Sequence, residues 1–318
     1  MKYTIKTVVL LLAYFVKQSD AFAAPIFQEI ATQQKTAPSK EQGVEIELPN
    51  FDELFGRLQA VSPLAKVAIQ QPGGALRGFH AIDDTSGLRW KSLESNSKRL
   101  VHQVDKIDDF QGLGCPIIRL RSTIDGPCVN EAFAAFIMDV DERAKWDPSI
   151  GQVCERYPIK DLDMANVAMG FGKYGDCVKL GVGYCQTKSY GPVSGREQLT
   201  LCGIQEFQDG SAVVWGTEME PWHNHLFPPG ERLPRSKSHL FSIAIVPTSE
   251  NQFDVEYCLQ IDVGGIPNWI TTPILIETIK GMFGHAQKFY GGEQIQKYIE
   301  EHPKEDKMDE RNSILMTP

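Results

Sequence analysis

The segment of residues 253–269, FDVEYCLQIDVGGIPNW, constrains the fold more than any other stretch of this chain. Strict alternation sets Phe253, Val255, Tyr257, Leu259 and Ile261 on one face of a strand, and Asp254, Glu256, Cys258, Gln260 and Asp262 on the other. Gly264 and Gly265 can take positive φ and reverse the chain tightly. Pro267 then fixes φ at a place that suits the first turn of a helix, where its missing N–H costs nothing. A half-buried strand is thus handed directly to a long helix over residues 267–290, about 36 Å at 1.5 Å per residue. Leu275, Ile279, Met282, Phe283, Ala286 and Tyr290 share one face of that helix, and Glu277, Lys280, Gly281, Gly284 and Lys288 the other. Gly281 and Gly284 each cost about 1 kcal/mol relative to Ala in a helix interior. Either a helix that pivots or close packing accounts for them.

Upstream of this unit the pattern is mostly strand. Alternating or β-branched runs predict strands at residues 88–93, 99–104, 117–124, 152–157, 178–188, 197–207, 212–218 and 240–246, in addition to 253–263. One helix precedes them and another interrupts them. Residues 51–69 carry Phe51, Leu54, Phe55, Leu58 and Val61 at helical spacing, with Asn50 as N-cap and Pro63 placed to kink or split the helix. Residues 130–146 carry Phe133, Phe136, Ile137 and Val140 on one side. Strands, helix, many strands and a long helix, in that order, define an α+β chain with an antiparallel sheet.

Composition narrows the partners. A net charge of −9 over 318 residues argues against nucleic acid or anionic lipid reached through charge alone. The seven cysteines contain no Cys-x-x-Cys pair and no zinc-type spacing, so they read as scattered reduced thiols. Gly170-x-Gly172-x-x-Gly175 matches a dinucleotide fingerprint by letter, but the β-branched, glycine-rich residues that follow predict a strand where the fingerprint requires a helix. Ser194 in GPVSG lies one residue away from an esterase elbow. His223 and His225 have no evident third ligand, so neither metal nor cofactor is expected.

Residues 1–21 read as a signal peptide: Lys2 and Lys6, an apolar run from Val8 to Val16, and small residues at Ser19 and Ala21. The junction Ser19-Asp20-Ala21-Phe22-Ala23-Ala24-Pro25 is similar to the Ala-Phe-Ala-Pro junction of bipartite presequences that target complex plastids. On that resemblance residues 22–45 are a transit peptide and the destination is a plastid; secretion is the alternative. Residues 46–84 are then a helical extension and linker, 85–303 the main domain, and 304–318 a charged tail.

Three motifs in order resemble the START (steroidogenic-acute-regulatory-related lipid-transfer) family. The first is Asp141-Glu142-Arg143-Ala144-Lys145-Trp146-Asp147. The second is KSYGPVSGREQLTL at residues 188–201, and the third is Asp262-Val263-Gly264-Gly265-Ile266-Pro267. The resemblance implies a helix-grip fold, in which a curved antiparallel sheet wraps the long C-terminal helix and encloses a hydrophobic cavity. It implies lipid binding and transfer, no catalysis, no cofactor and a monomer in transient contact with a membrane. Arg196, Gln198, Thr200 and Cys202 are expected to point into the cavity. Trp215, Tyr257, Leu275, Ile279, Met282 and Phe283 complete the expected lining. Tyr190, Pro192 and Val193 of one loop, with Trp222, Leu226 and Phe227 of another, are expected to gate it at the membrane. Glu197 replaces the family's aspartate, and Cys202 stands where sterol binders carry a second arginine, which weakens a sterol assignment. An enzyme of cyclase-like type or a lipid sensor acting through protein partners are the rival readings of the same architecture.

Overall fold

The computed structural model describes residues 48–71, 73, 78–82, 87–95, 101–129, 150–158, 162–170, 172–189, 194–218 and 233–301. The expected presequence, the helix expected at 130–146 with the first motif, the apices of both expected gating loops and the charged tail lie outside the described residues.

Among the described residues nine strands form one sheet, antiparallel but for a short parallel pairing of the starts of β6 and β8: β1 (Lys91–Ser95), β2 (Val101–Ile107), β3 (Ile117–Asp125), β4 (Ile150–Pro158), β5 (Asp176–Thr187), β6 (Glu197–Glu206), β7 (Ala212–Glu218), β8 (Arg235–Ser249) and β9 (Gln252–Asp262). Their spatial order is β1-β2-β3-β9-β8-β7-β6-β5-β4. The last strand therefore inserts beside β3 in the middle of the sheet and hands the chain straight to helix α4 (Asn268–Tyr290). Helices α1 (Phe51–Val61) and α2 (Pro63–Gln70) precede the sheet, α3 (Leu162–Met169) joins β4 to β5, and α5 (Glu293–Glu301) follows α4.

The alternation expected for β9 is the alternation observed. Phe253, Val255, Tyr257, Leu259 and Ile261 pack with Ile279, Met282, Phe283, Ala286 and Tyr290 of α4. That side is the inner face. Leu275, expected on the helix stripe, is half-buried.

The outer face departs from the sequence reading. Asp254, Glu256, Cys258 and Gln260 form a polar row that reads as solvent-facing, yet all four are buried. The N-terminal helices cover Glu256 and Cys258, the turn at Gly78–Ala81 meets Asp254, and the β2–β3 loop meets Gln260. Asn50 caps α1 through the N–H groups of Asp52 and Glu53. Pro63 splits the expected helix, and Ser62 caps α2. Glu256 then accepts from Ser62 Oγ at 2.8 Å, from the Leu64 N–H at 3.0 Å and from Arg121 Nε at 2.6 Å. A carboxylate at the first turn of α2 satisfies donors that a helix start leaves open. Phe51, Phe55, Leu58 and Leu64 are buried in the same outer core as Leu199, Leu201 and Trp215. Each such side chain is worth about 1.5–3 kcal/mol when fully removed from water. The segment expected to be an extension is therefore a structural layer of the domain.

Two further differences have local causes. β8 begins at Arg235 rather than at residue 240, because the register shifts between Ser238 and Leu240 and the inserted His239 breaks the alternation by which a strand is recognised. After Gly170, Gly172 and Gly175, all at positive φ, the chain enters β5 and not a helix. α3 was not legible; Asn166 ties it to β5 by exchanging hydrogen bonds with the backbone N–H and carbonyl of Cys177.

Candidate functional site

The inner face is built by register. Ile204 of β6, Val214 of β7 and Ile243 of β8 lie in the α4 core, so their alternate partners share that side of the sheet. This places Gln198, Thr200 and Cys202 of β6 on the inner face, opposite Cys185, Gly183 and Gly181 of β5. Cys185 Sγ lies 3.6 Å from Gln198 Oε1, and Cys202 Sγ 3.6 Å from the Thr200 carbonyl. Two glycines facing two short polar side chains leave a low, weakly polar floor. On the adjoining strand a Cβ at Gly216 would collide with the ring of Phe241, so that ring fills the notch the glycine leaves.

Burial along this face is graded. Ile279, Met282, Phe283, Ala286 and Tyr290 in the C-terminal half of α4 are buried against Phe253, Val255, Ile243 and Ile245. Toward the start of α4 Leu259, Ile261, Thr271 and Thr272 are still buried, but the apolar residues Leu275, Ile276, Tyr257 and Phe241 are only half-buried, as are Gln198 and Cys202. The helix thus seals the sheet at one end and leaves apolar surface, with a polar spot, partly uncovered toward the other.

Two expected lining residues lie elsewhere. Trp215 is fully buried, but on the outer face, where it meets Phe51 and Phe55 edge-on at 6.0 and 5.8 Å. Its strand, Ala212-Val213-Val214-Trp215, is apolar at every position and hides the parity. Gly203 provides the space for it, since a Cβ there would meet Trp215 Cζ2 at 2.5 Å. Arg196 precedes β6 and points at backbone. Its Nε donates to the Val263 carbonyl at 2.6 Å, Nη2 to Gly264 at 3.1 Å, and Nη1 to Ser194 O and Oγ and to Gly195 O. The guanidinium clamps the loop before β6 to the Gly264-Gly265 turn that launches α4. Asp262 serves the same turn by accepting from the Gly264 N–H at 2.8 Å. Glu197, at the family's aspartate position, accepts from Arg235 Nε at 2.9 Å and from Tyr184 Oη at 3.1 Å, holding the start of β8 against β6. Tyr190, Pro192, Val193, Trp222, Leu226, Phe227, His223 and His225 lie outside the described residues.

One ionisable cluster was not visible in the sequence. His239 Nδ1 lies 2.8 Å from Glu218 Oε1, and Cys115 is its other hydrogen-bond partner. Cys115 and Glu218 together push the imidazole up to about 9, and the imidazolium in turn holds the Glu218 carboxyl below its ordinary value. The His239–Glu218 contact braces the end of β7 against the β8 bulge. The signal was unreadable because the three residues come from the β2–β3 loop, the end of β7 and the β8 bulge. Among the described residues no group of three His, Cys, Asp or Glu side chains is arranged to hold a metal ion.

Comparison with solved structures agrees with this geometry. Human StAR-related lipid transfer protein 5 superposes with a TM-score of 0.51 at 16% identity, covering 76% of this chain and 98% of its own. Human STARD10 gives a TM-score of 0.51 at 18% identity, covering 81% of this chain and 85% of its own. No protein-family model matches the sequence, and no curated protein does. The likeness therefore rests on architecture: this chain has the START-like helix-grip fold, a curved antiparallel sheet gripping a C-terminal helix.

Proposed function

We propose that this protein binds a hydrophobic lipid between the inner face of the sheet and α4, and carries it between membranes. The graded burial of that face supports the reading most directly: a sealed apolar end beneath the second half of α4, and a half-buried apolar rim with Gln198, Thr200 and Cys202 toward the first half. An acyl chain of about sixteen carbons carries on the order of 12 kcal/mol of drive out of water at about 0.8 kcal/mol per CH₂. Gln198 and Thr200 supply the few polar contacts that orient a head group. Leu275, Ile279, Met282, Phe283 and Tyr257 form the helix and β9 sides of the lining. One of the superposing structures, human StAR-related lipid transfer protein 5, is a lipid-transfer protein by name, which supports the same reading.

Reduced thiols and the Ser19–Pro25 junction support a plastid destination, to be checked with a fluorescent fusion of the first forty residues.

The reading is tested by loading the purified chain with a fluorescent lipid and following transfer from donor to acceptor vesicles. Transfer that rises with protein concentration supports it. Conversion of the lipid to a new product, or no uptake at all, contradicts it.

A further inference from the structure

The loop between β2 and β3 is braced from every side and yet presents an apolar side chain outward. Its two ends are buried, Phe110 under the N-terminal helices and Cys115 beside His239. Gln260 Nε2 donates to the Phe110 carbonyl at 2.9 Å, and the Gly114 N–H donates to Asp109 Oδ1 at 3.0 Å. Asn268 Nδ2, in the first turn of α4, donates to the Gly114 carbonyl at 3.0 Å. The residues adjoining that bond in sequence are Leu113 and Trp269. Leu113 is 39% exposed, and Trp269, at 72%, is the most exposed large apolar side chain among the described residues. A loop able to bury Phe110 and Cys115 but held with Leu113 outside is not a loop that failed to collapse.

We propose that Leu113 and Trp269 form one apolar tip that docks on the surface of a lipid bilayer, on the β2–β3 side of the start of α4. An indole is suited to the boundary between head groups and acyl chains, where its apolar body and N–H are both accommodated. The acids of the loop are Asp109, which accepts from the Gly114 N–H, and Asp108, which pairs with Lys106 at the end of β2. With acids beside the tip and a net charge of −9, the fitting surface is zwitterionic and the contact is apolar rather than electrostatic. The tip also includes the first turn of α4. The first turn of α4 has no side-chain cap at Pro267, and Pro273 cannot donate back to the Trp269 carbonyl. Seating Trp269 in a bilayer would thus pull on the weakest turn of the helix. This deepens the lipid-carrier reading, on which it rests for its purpose but not for its test.

The experiment is flotation of the full chain with phosphatidylcholine vesicles, unlabelled or brominated on their acyl chains. The parent is expected to float equally at low and high salt and to have its tryptophan fluorescence quenched by bromine. Trp269→Phe should lose most of that quenching. Leu113→Ser with Trp269→Ser should lower the vesicle-bound fraction at least tenfold at an unchanged melting temperature. The proposal is overturned if the double variant floats like the parent, if quenching is undiminished in Trp269→Phe, or if the parent ignores these vesicles or binds only anionic ones in a salt-sensitive way. A protein partner as the true occupant appears as this last result. Mass spectrometry of lipid retained by the same preparations separates the two readings: lipid held without vesicle contact sinks the tip alone, and tip-dependent flotation of an empty protein sinks the carrier alone.

Discussion

Arg196 Nε donates to the carbonyl of Val263 at 2.6 Å, across 67 positions of sequence, and this bond joins the loop entering β6 to the turn that launches α4. The side chain is buried, and its planar fork reaches two backbone stretches at once, residues 194–195 and 263–264. A lysine has the charge but not the fork. Arg196→Lys should therefore lose about 2–4 kcal/mol, because a hydrogen bond to a charged group contributes about 1.5–3 kcal/mol and several are removed. Chemical denaturation measures this, and limited proteolysis should show faster cleavage near residues 189–195. Parent-like stability in the lysine variant would mean that the clamp is incidental.

Glu256 is predicted to be the least replaceable residue of the outer face. Glu256→Ala leaves Arg121 and the first turn of α2 without their shared acceptor, at a cost of about 3–5 kcal/mol for breaking a buried pair on one side. By the same logic a chain begun at residue 85 exposes Trp215, Leu199 and Leu201 where α1 and α2 belong. It should be insoluble or lack a cooperative melt. A truncated chain that melts like the parent would show the N-terminal helices to be dispensable.

The His239 cluster makes stability depend on alkaline pH. The folded pKa is raised, from 6.5 to about 9, so the contribution is fully present below pH 6.5 and is lost as pH rises through about 9. The groups acting on the imidazole are Cys115 and Glu218, with Lys237 and Arg57 acting on Glu218 in turn. Melting temperature measured from pH 6 to 10 should fall over that window. His239→Gln should flatten the fall, and an identical profile in the variant would assign it to other groups.

Gly281 offers a test of the helix itself. A Cβ there meets nothing within 4 Å, so close packing does not account for this glycine. Gly281→Ala should stabilise the chain by about 1 kcal/mol through helix propensity and slow vesicle-to-vesicle transfer, if bending of α4 accompanies release. A gain in stability with unchanged transfer rate would detach the glycine from gating.

The parts of the fold legible in the sequence are those where one face of an element is apolar and the other polar. β9, its turn and α4 satisfy that condition. Legibility failed where polarity did not follow exposure. Glu256 and Gln260 look like solvent-facing residues because their partners, Leu64 N–H and Phe110 O, are backbone atoms from distant segments that carry no sequence signature. Trp215 was assigned to the wrong face because its strand lacks alternation, and Arg196 because it stands one residue ahead of the strand whose parity was applied to it. Leu113 gave no signal at all: in a glycine-rich loop a single leucine becomes meaningful only when its neighbour bonds to the first turn of α4.

Native mass spectrometry of the purified full chain, beside a Gly183→Trp, Cys202→Trp variant, tests most directly whether the inner face holds a lipid. The parent should carry one lipid-sized mass per chain. The variant, whose indoles occupy the floor between β5 and β6, should fly at the polypeptide mass alone while keeping a cooperative melt. A parent without bound lipid after exposure to membranes, or a variant that retains the same lipid at the same occupancy, would contradict the proposal.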